Sequence, residues 1–235
     1  MIKNILKHKL LLTVGLSLIA LFVLFTILIK TVDVAVIGES LTEVGLSSIN
    51  NSVYNSLGSS DISDKISDVL LILSFGVGLA FCALGAYRLF KEKRLDLSLV
   101  ILGAFYVALL LAYVIFDHIH FNYAPLLKDG MPKESYPSSH VLASVFVFLS
   151  AIIVINENIK NKKFKYTLVI AMLVLAVLMV LFRLLSGWHW FSDILCGELL
   201  ALALVSFYAV IVLSLDKKYI EFKKEKKEEH EEELH

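Results

Sequence analysis

Residues 166–185, YTLVIAMLVLAVLMVLFRLL, are the stretch that decides the fold. Arg183, near the end of this stretch, is its one charged side chain. An α-helix rises about 1.5 Å per residue, so about 20 apolar residues cross the ~30 Å hydrocarbon core of a bilayer. We therefore predict a transmembrane helix over residues 166–185, with an arginine held near its end.

The rest of the chain has the same character. Its 235 residues are 58% hydrophobic and 19% charged, and the mean hydropathy is +0.78. Soluble domains are nearer 45–50% apolar and about 25% charged, and 22 basic residues against 22 acidic ones exclude the strongly basic footprint of a nucleic-acid binder. We predict an all-α integral membrane protein with one domain over residues 1–215 and a charged tail over residues 216–235. Its six predicted transmembrane helices are Leu10–Ile29, Val69–Phe90, Leu97–Phe116, His140–Ile155, Tyr166–Leu185 and Phe191–Leu215.

The positions of the basic residues predict the orientation in the membrane. Seventeen of the 22 Lys and Arg residues lie in the two termini and in the connections around residues 88–94 and 160–165. Basic residues accumulate in cytoplasmic loops. We therefore predict that both termini are cytoplasmic and that the connections 30–68, 117–139 and 186–190 face outside.

The first outer connection contains apolar residues at roughly helical spacing: Val44, Ile49, Val53 and Leu57. Two interpretations stay open for this segment. It forms either a helix that lies on the membrane surface or a helix that packs against the transmembrane bundle.

A first polar cluster, Tyr136-Pro-Ser138-Ser139-His140, directly precedes the fourth predicted span. The first backbone N–H groups of a helix have no intrahelical partner, and such a helix end binds anions. The serine hydroxyls add hydrogen-bond donors, and His140 lies beside any anion bound there. A simple serine N-cap is the alternative interpretation.

A second polar cluster, Arg183-Leu-Leu-Ser-Gly-Trp-His189-Trp-Phe-Ser-Asp193, joins the last two spans. His189 and Asp193 are four residues apart and share a helix face if the helix starts near Trp188. We predict that Asp193 orients the His189 imidazole and leaves the other ring nitrogen free as a nucleophile. Arg183 suits bidentate contact with phosphate oxygens. An aromatic belt with an incidental ion pair is the alternative.

Together the two clusters resemble the type 2 phosphatidic acid phosphatase (PAP2) superfamily, whose signature is K-x6-RP, PSGH and SR-x5-H-x3-D. Residues 137–140 read PSSH, with Ser139 in place of glycine, and residues 182–193 read FR-x5-H-x3-D, with Phe182 in place of serine. The order of the motifs and the six-span topology also fit. The resemblance covers nearly the whole chain.

The resemblance implies a bacterial-type plasma-membrane enzyme that hydrolyses a lipid phosphate or pyrophosphate at the outer leaflet without a cofactor or metal. Its partners would be the bilayer and a phospholipid or isoprenoid phosphate. It implies that His189 attacks phosphorus, that Asp193 supports this histidine, and that His140 protonates the leaving group. The implied phosphate contacts come from Arg183, Ser138 and Ser139.

The first family motif departs from the pattern, because Asp117 and Ala124 stand at the lysine and arginine positions. We predict that Lys128, with Lys133 in the same loop, supplies part of the missing positive charge. The rival hypothesis is a phospholipid-binding or lipid-transport protein on the same fold that does not hydrolyse its ligand. Asp117, His118 and His120 also lie in this region, but their spacing suits no common helical pair of metal ligands.

Overall fold

A computed structural model describes the backbone of residues 2–119 and 121–232, and the side chains of residues 6–119 and 121–215. These residues form seven helices and one two-stranded antiparallel sheet. The predicted all-α membrane fold is confirmed. The elements are α1 (Ile2–Thr31), β1 (Ala35–Ile37), β2 (Thr42–Val44), α2 (Ser47–Leu57), α3 (Asp61–Phe90), α4 (Leu97–His118), α5 (Ser139–Asn158), α6 (Lys162–Ser186) and α7 (Phe191–Glu232).

Six of these helices are long and apolar enough to cross a membrane, and they coincide with the six predicted segments. One difference bears on the site: α3 starts at Asp61, eight residues before the predicted Val69. The side chain of Ser60 caps this helix by accepting a hydrogen bond from the backbone N–H of Ser63, and acidic residues occupy its first turn. This polar extension of α3 brings additional side chains to one end of the bundle.

Helix α5 is the most buried of the six described spans. It packs between α3, α6 and α7, while α1 lies along α7. Its inward side chains include Val141, Phe146, Phe148 and Val154, each almost completely buried. The start of α5 is therefore held by three neighbouring helices.

The two ends of the bundle differ in character. At one end, His8 on α1 contacts Ser214 on α7, and Arg88 at the end of α3 contacts Asp96 and Asn158. The opposite end carries the starts of α3, α5 and α7 together with the end of α6. Both polar clusters of the sequence lie at this second end, away from the predicted basic connections.

Helix α2 caps the second end and packs against the bundle. The side chain of Asn50 is buried. It donates to Ser192 Oγ at 3.0 Å and accepts from the Ser192 backbone N–H at 3.0 Å. The rings of Tyr54 and Trp190 are 5.7 Å apart. Of the two interpretations of the first outer connection, the structure favours the packed helix.

The charged tail, residues 216–235, falls where no side chains are described, although the α7 backbone continues to Glu232.

Candidate active site

His189 lies in the short turn between α6 and α7. Gly187 ends α6 in the left-handed region, with φ of 75°, a conformation that favours glycine. His189 Nδ1 is 2.8 Å from the carbonyl oxygen of Ser135, and Nε2 is 3.0 Å from Arg183 Nη2. A carbonyl can only accept and a guanidinium can only donate. The two partners therefore fix the tautomer, with the proton on Nδ1 and the lone pair on Nε2.

The environment of His189 also favours its neutral form. Burial, followed by the positive charge of Arg183, holds the pKa of His189 well below its usual range. A buried imidazole beside a cation is costly to protonate. The lone pair of Nε2 is therefore retained at neutral pH, which is the state that a nucleophile needs.

Arg183 connects His189 to α3. Its Nη1 donates to Asp64 Oδ1 at 2.6 Å and to Ser67 Oγ at 3.2 Å. The side chain is almost fully buried, and its Nε has no hydrogen-bond partner among the described residues. A polar atom left in this state is costly unless a ligand engages it.

Asp193 is completely buried in the first turn of α7. Its carboxylate accepts hydrogen bonds from Asn122 Nδ2 at 2.9 Å, Ser135 Oγ at 2.7 Å and the Trp190 backbone N–H at 3.2 Å. Its nearest approach to His189 Nδ1 is 4.0 Å. The expected direct hydrogen bond between Asp193 and His189 is therefore not formed, because the backbone of Ser135 takes that place.

Asp193 is nevertheless connected to His189 through Ser135. The Ser135 hydroxyl donates to the Asp193 carboxylate, and the Ser135 carbonyl accepts from the His189 ring. Asn122 joins the same arrangement, since its backbone carbonyl accepts from the Ser135 backbone N–H at 3.0 Å. The Asp193 carboxylate thus holds the loop at Ser135, and the Ser135 carbonyl orients the His189 ring.

The start of α5 forms the second half of the site. Ser138 is the N-cap residue and is fully buried, but its side chain makes no capping hydrogen bond. Its backbone N–H donates to the Asp193 backbone carbonyl at 3.0 Å, while no described residue is a partner for its Oγ. The simple serine cap is therefore not observed. Ser139 begins α5 and is partly buried.

His140, in the first turn of α5, contacts α3. Its Nε2 is 3.0 Å from Asp68 Oδ1, and its Nδ1 is buried without a partner. Among the described residues, five buried side-chain N or O atoms lack a partner, and three belong to predicted site residues: Ser138 Oγ, His140 Nδ1 and Arg183 Nε. The family motifs thus hold most of the polar atoms that a ligand could satisfy.

The loop 121–138 places the residues of the degenerate first motif. Ala124 is buried, and its backbone N–H donates to the Lys133 carbonyl at 2.8 Å, so Lys133 lies directly across from the position where the family has arginine. The positive charge of Lys133 contributes to lowering the pKa of His189. Lys128 is exposed at the tip of the loop, where its backbone pairs with Met131. Its phosphate contact remains a prediction.

The structure describes only part of the segment with Asp117, His118 and His120, the residues considered as metal ligands. His118 Nδ1 is 2.7 Å from the Val114 carbonyl oxygen, and His120 lies outside the described residues. Across residues 6–119 and 121–215, whose side chains are described, no group of three His, Cys, Asp or Glu side chains could hold a metal ion.

Sequence reasoning missed five polar residues at the site: Asp64, Ser67, Asp68, Asn122 and Ser135. The three on α3 had a detectable signal. Ser60 followed by Asp61, Asp64 and Asp68 is a helix start with a polar face, directly before an apolar run. The other two lie in an irregular loop whose path no periodicity predicts.

Comparison with known proteins supports the family resemblance and the fold. The model of the PAP2 superfamily matches residues 121–217. A solved transmembrane PAP2-type phosphatidylglycerolphosphate phosphatase from Bacillus subtilis has a similar fold, with a TM-score of 0.59 and 20% sequence identity over 87% of this chain and 96% of that chain. No curated protein matches the chain. The resemblance read from the motifs is thereby confirmed: residues 121–217, which contain every predicted site residue, are a match to the PAP2 superfamily on a PAP2-type membrane fold.

Proposed function

We propose that this protein is a membrane lipid phosphatase that forms a phosphohistidine at His189. One observation supports this most strongly. A buried histidine with its lone pair on Nε2 contacts Arg183. At the same end of the bundle lie three buried side-chain atoms that lack a partner among the described residues: Ser138 Oγ, His140 Nδ1 and Arg183 Nε. This combination provides a nucleophile, an acid and donors for phosphate oxygens.

The reaction proceeds in two steps. The Nε2 lone pair of His189 attacks phosphorus, the P–N bond forms, and the ester P–O bond breaks with its electron pair on the leaving oxygen. His140 gives that oxygen a proton, and the lipid alcohol departs. Water then attacks the phosphohistidine while His140 takes its proton, and phosphate and free His189 are released.

The chain's own groups stabilise the transition state. Arg183 and Ser138 donate to the phosphoryl oxygens as their charge develops, together with the free N–H groups at the start of α5. Arg183 must shift its contact from His189 Nε2 to the phosphate. Because these donors supply the charge stabilisation, activity is expected to survive EDTA and to be inhibited by vanadate, which adopts the five-coordinate geometry of phosphoryl transfer.

The substrate is proposed to be a lipid at the outer leaflet. The site lies at the end of the bundle opposite the basic connections, and the basic end is expected to be cytoplasmic. Headgroups therefore lie at the depth of His189. Phosphatidylglycerol phosphate, phosphatidate and isoprenoid pyrophosphates form the candidate class, and the solved structure with a similar fold is a phosphatidylglycerolphosphate phosphatase.

Phosphate release from a panel of these lipids in detergent micelles tests the proposal. The wild type is expected to release phosphate from at least one lipid, and His189→Ala is expected to abolish release while it retains lipid binding. Arg183→Ala should weaken both, because the arginine contacts phosphate before and during the reaction. Turnover that persists in His189→Ala would mean that the nucleophile is misassigned.

Two observations favour the rival hypothesis of a protein that binds phospholipid without hydrolysing it. The family's arginine position is a buried alanine, Ala124. Arg183, which would have to compensate, is paired with Asp64. If the wild type binds lipid phosphates and releases no phosphate from any of them, the binding function replaces the enzymatic one.

A further inference from the structure

Helix α3 contributes a carboxylate to the histidine of the second motif. Asp68 Oδ1 lies 3.0 Å from His140 Nε2. The two residues are 72 positions apart in the sequence and on different helices, and Asp68 belongs to no part of the family signature. The early start of α3, at Asp61, is what gives Asp68 a fixed helical position beside α5.

This contact determines which nitrogen of His140 faces a ligand. An ionised carboxylate only accepts hydrogen bonds, so Nε2 carries a proton and donates to Asp68. The remaining nitrogen, Nδ1, is buried and has no hydrogen-bond partner in the part of the chain that the structure describes. A proton for a leaving group must therefore come from Nδ1.

The same contact supports the protonated state of His140. When Nδ1 also carries a proton, the ring is an imidazolium, and a carboxylate at 3.0 Å stabilises its charge. The positive charge of Arg183 disfavours the imidazolium. The carboxylate of Asp64, one turn before Asp68 on α3, partly offsets the Arg183 charge. The Asp68 side chain is 55% exposed and that of His140 is 20% exposed. Solvent therefore weakens the interaction without removing it.

We infer that Asp68 is a positioning residue for the general acid, because it directs Nδ1 of His140 toward the leaving oxygen and stabilises the proton that this nitrogen delivers. This inference rests on the proposed function. It adds a carboxylate–histidine pair on the leaving-group side of the phosphate, separate from the Ser135–Asp193 arrangement behind His189. Its consequence is that Asp68 matters most when the leaving group needs a proton.

Two substrates that differ in leaving group test this role. An alkyl phosphate leaves as a strongly basic alkoxide and needs the proton, whereas 4-nitrophenyl phosphate leaves as a stable phenolate and does not. The quantity to compare is kcat/KM, because it reports only the steps up to release of the leaving group. Asp68→Asn is expected to lower kcat/KM about 10-fold for a short-chain dialkylglycerol phosphate and less than about 2-fold for the aryl ester.

Three further variants serve as controls. Asp61→Asn removes the same charge from an exposed position at the start of α3 and should change neither value. Asp68→Glu restores the carboxylate and should recover part of the loss on the alkyl ester. In a His140→Ala background, Asp68→Asn should cause no additional loss, because its effect is exerted through His140.

The outcomes separate this inference from the proposed function. Equal losses on the two esters, or no loss on either, would overturn the role of Asp68 and leave the phosphatase assignment intact. An additional loss in the His140→Ala background would do the same. Absence of phosphate release by the wild type from these two esters and from every lipid of the panel would overturn the proposed function and this inference with it.

Discussion

At the scale of single residues, His189 is held by one group outside the family motif, Ser135, and by one inside it, Arg183. The carbonyl of Ser135 fixes the proton on Nδ1, and Arg183 contacts Nε2. Asp193, which the four-residue spacing pairs with His189, instead accepts from Asn122, Ser135 and the Trp190 backbone. Its charge is therefore used to hold the loop that holds the histidine.

Asp193→Asn tests this indirect role. An amide group must turn an NH₂ toward donors such as Ser135 Oγ and Asn122 Nδ2, so at least one buried donor loses its acceptor. We expect a large loss of kcat with a smaller change in KM, and a loss of about 1–3 kcal/mol in stability. Ser135→Ala, which removes one donor and keeps the carbonyl that contacts His189, should be milder in both measurements. A wild-type kcat in Ser135→Ala beside a large loss of kcat in Asp193→Asn would contradict the indirect role.

The pKa of His189 predicts the acid limb of the pH profile. The nucleophile must be neutral, so activity falls as the pH drops through its pKa. Burial and the charge of Arg183 lower that pKa well below the usual range. The acid limb of kcat/KM is therefore expected below pH ~6.5, the ordinary pKa of histidine. An acid limb above pH ~6.5 with both the alkyl and the aryl ester would contradict the assignment of His189 as the nucleophile.

At the scale of elements, the site depends on close packing of the short connections. A Cβ at Gly187 would lie 2.6 Å from Ser59 Cβ and 3.2 Å from the Gly58 carbonyl oxygen. A Cβ at Gly197 on α7 would lie 2.8 Å from the Ser138 carbonyl oxygen. The absence of a side chain at these two glycines lets the α2–α3 corner pack closely against the α6–α7 turn, and the start of α5 against α7.

Gly187→Ala is expected to disturb the site through this packing. The substitution combines a left-handed backbone with a contact too short for any side chain, and it should cost about 1–3 kcal/mol. We expect a lower Tm in detergent and a large loss of phosphate release, because His189 lies two residues away. Gly76→Ala is the matched control, since a Cβ there meets nothing within 4 Å. Wild-type activity and Tm in Gly187→Ala would contradict this account.

The elements also show how far the sequence predicts the site. Hydropathy and length located all six spans because the bilayer imposes one length and one composition on each. The family motifs located His189, Arg183 and His140. Asp68 and Ser135 were missed, because their contacts with these histidines depend on helix packing and on a loop path that local patterns do not encode.

At the scale of the whole molecule, the site and the basic connections lie at opposite ends of the bundle. This arrangement predicts that Ser56 and Lys133 face outside, whereas Lys93 and Lys162 face the cytoplasm. Single cysteines at these four positions, in a background without Cys82 and Cys196, should show the difference with a membrane-impermeant thiol reagent on intact cells. Labelling at 93 and 162 but not at 56 and 133 would invert the topology and place the site in the cytoplasm.

The central claim, that His189 becomes phosphorylated, is tested most directly by trapping the intermediate. The purified protein is mixed with a lipid phosphate carrying a radiolabelled phosphoryl group, quenched in denaturant at alkaline pH, and digested. The account predicts an acid-labile, base-stable label on the peptide that contains His189, and no label in His189→Gln. Phosphate release by His189→Gln at the wild-type rate, or a label on another residue in the wild type, would contradict it.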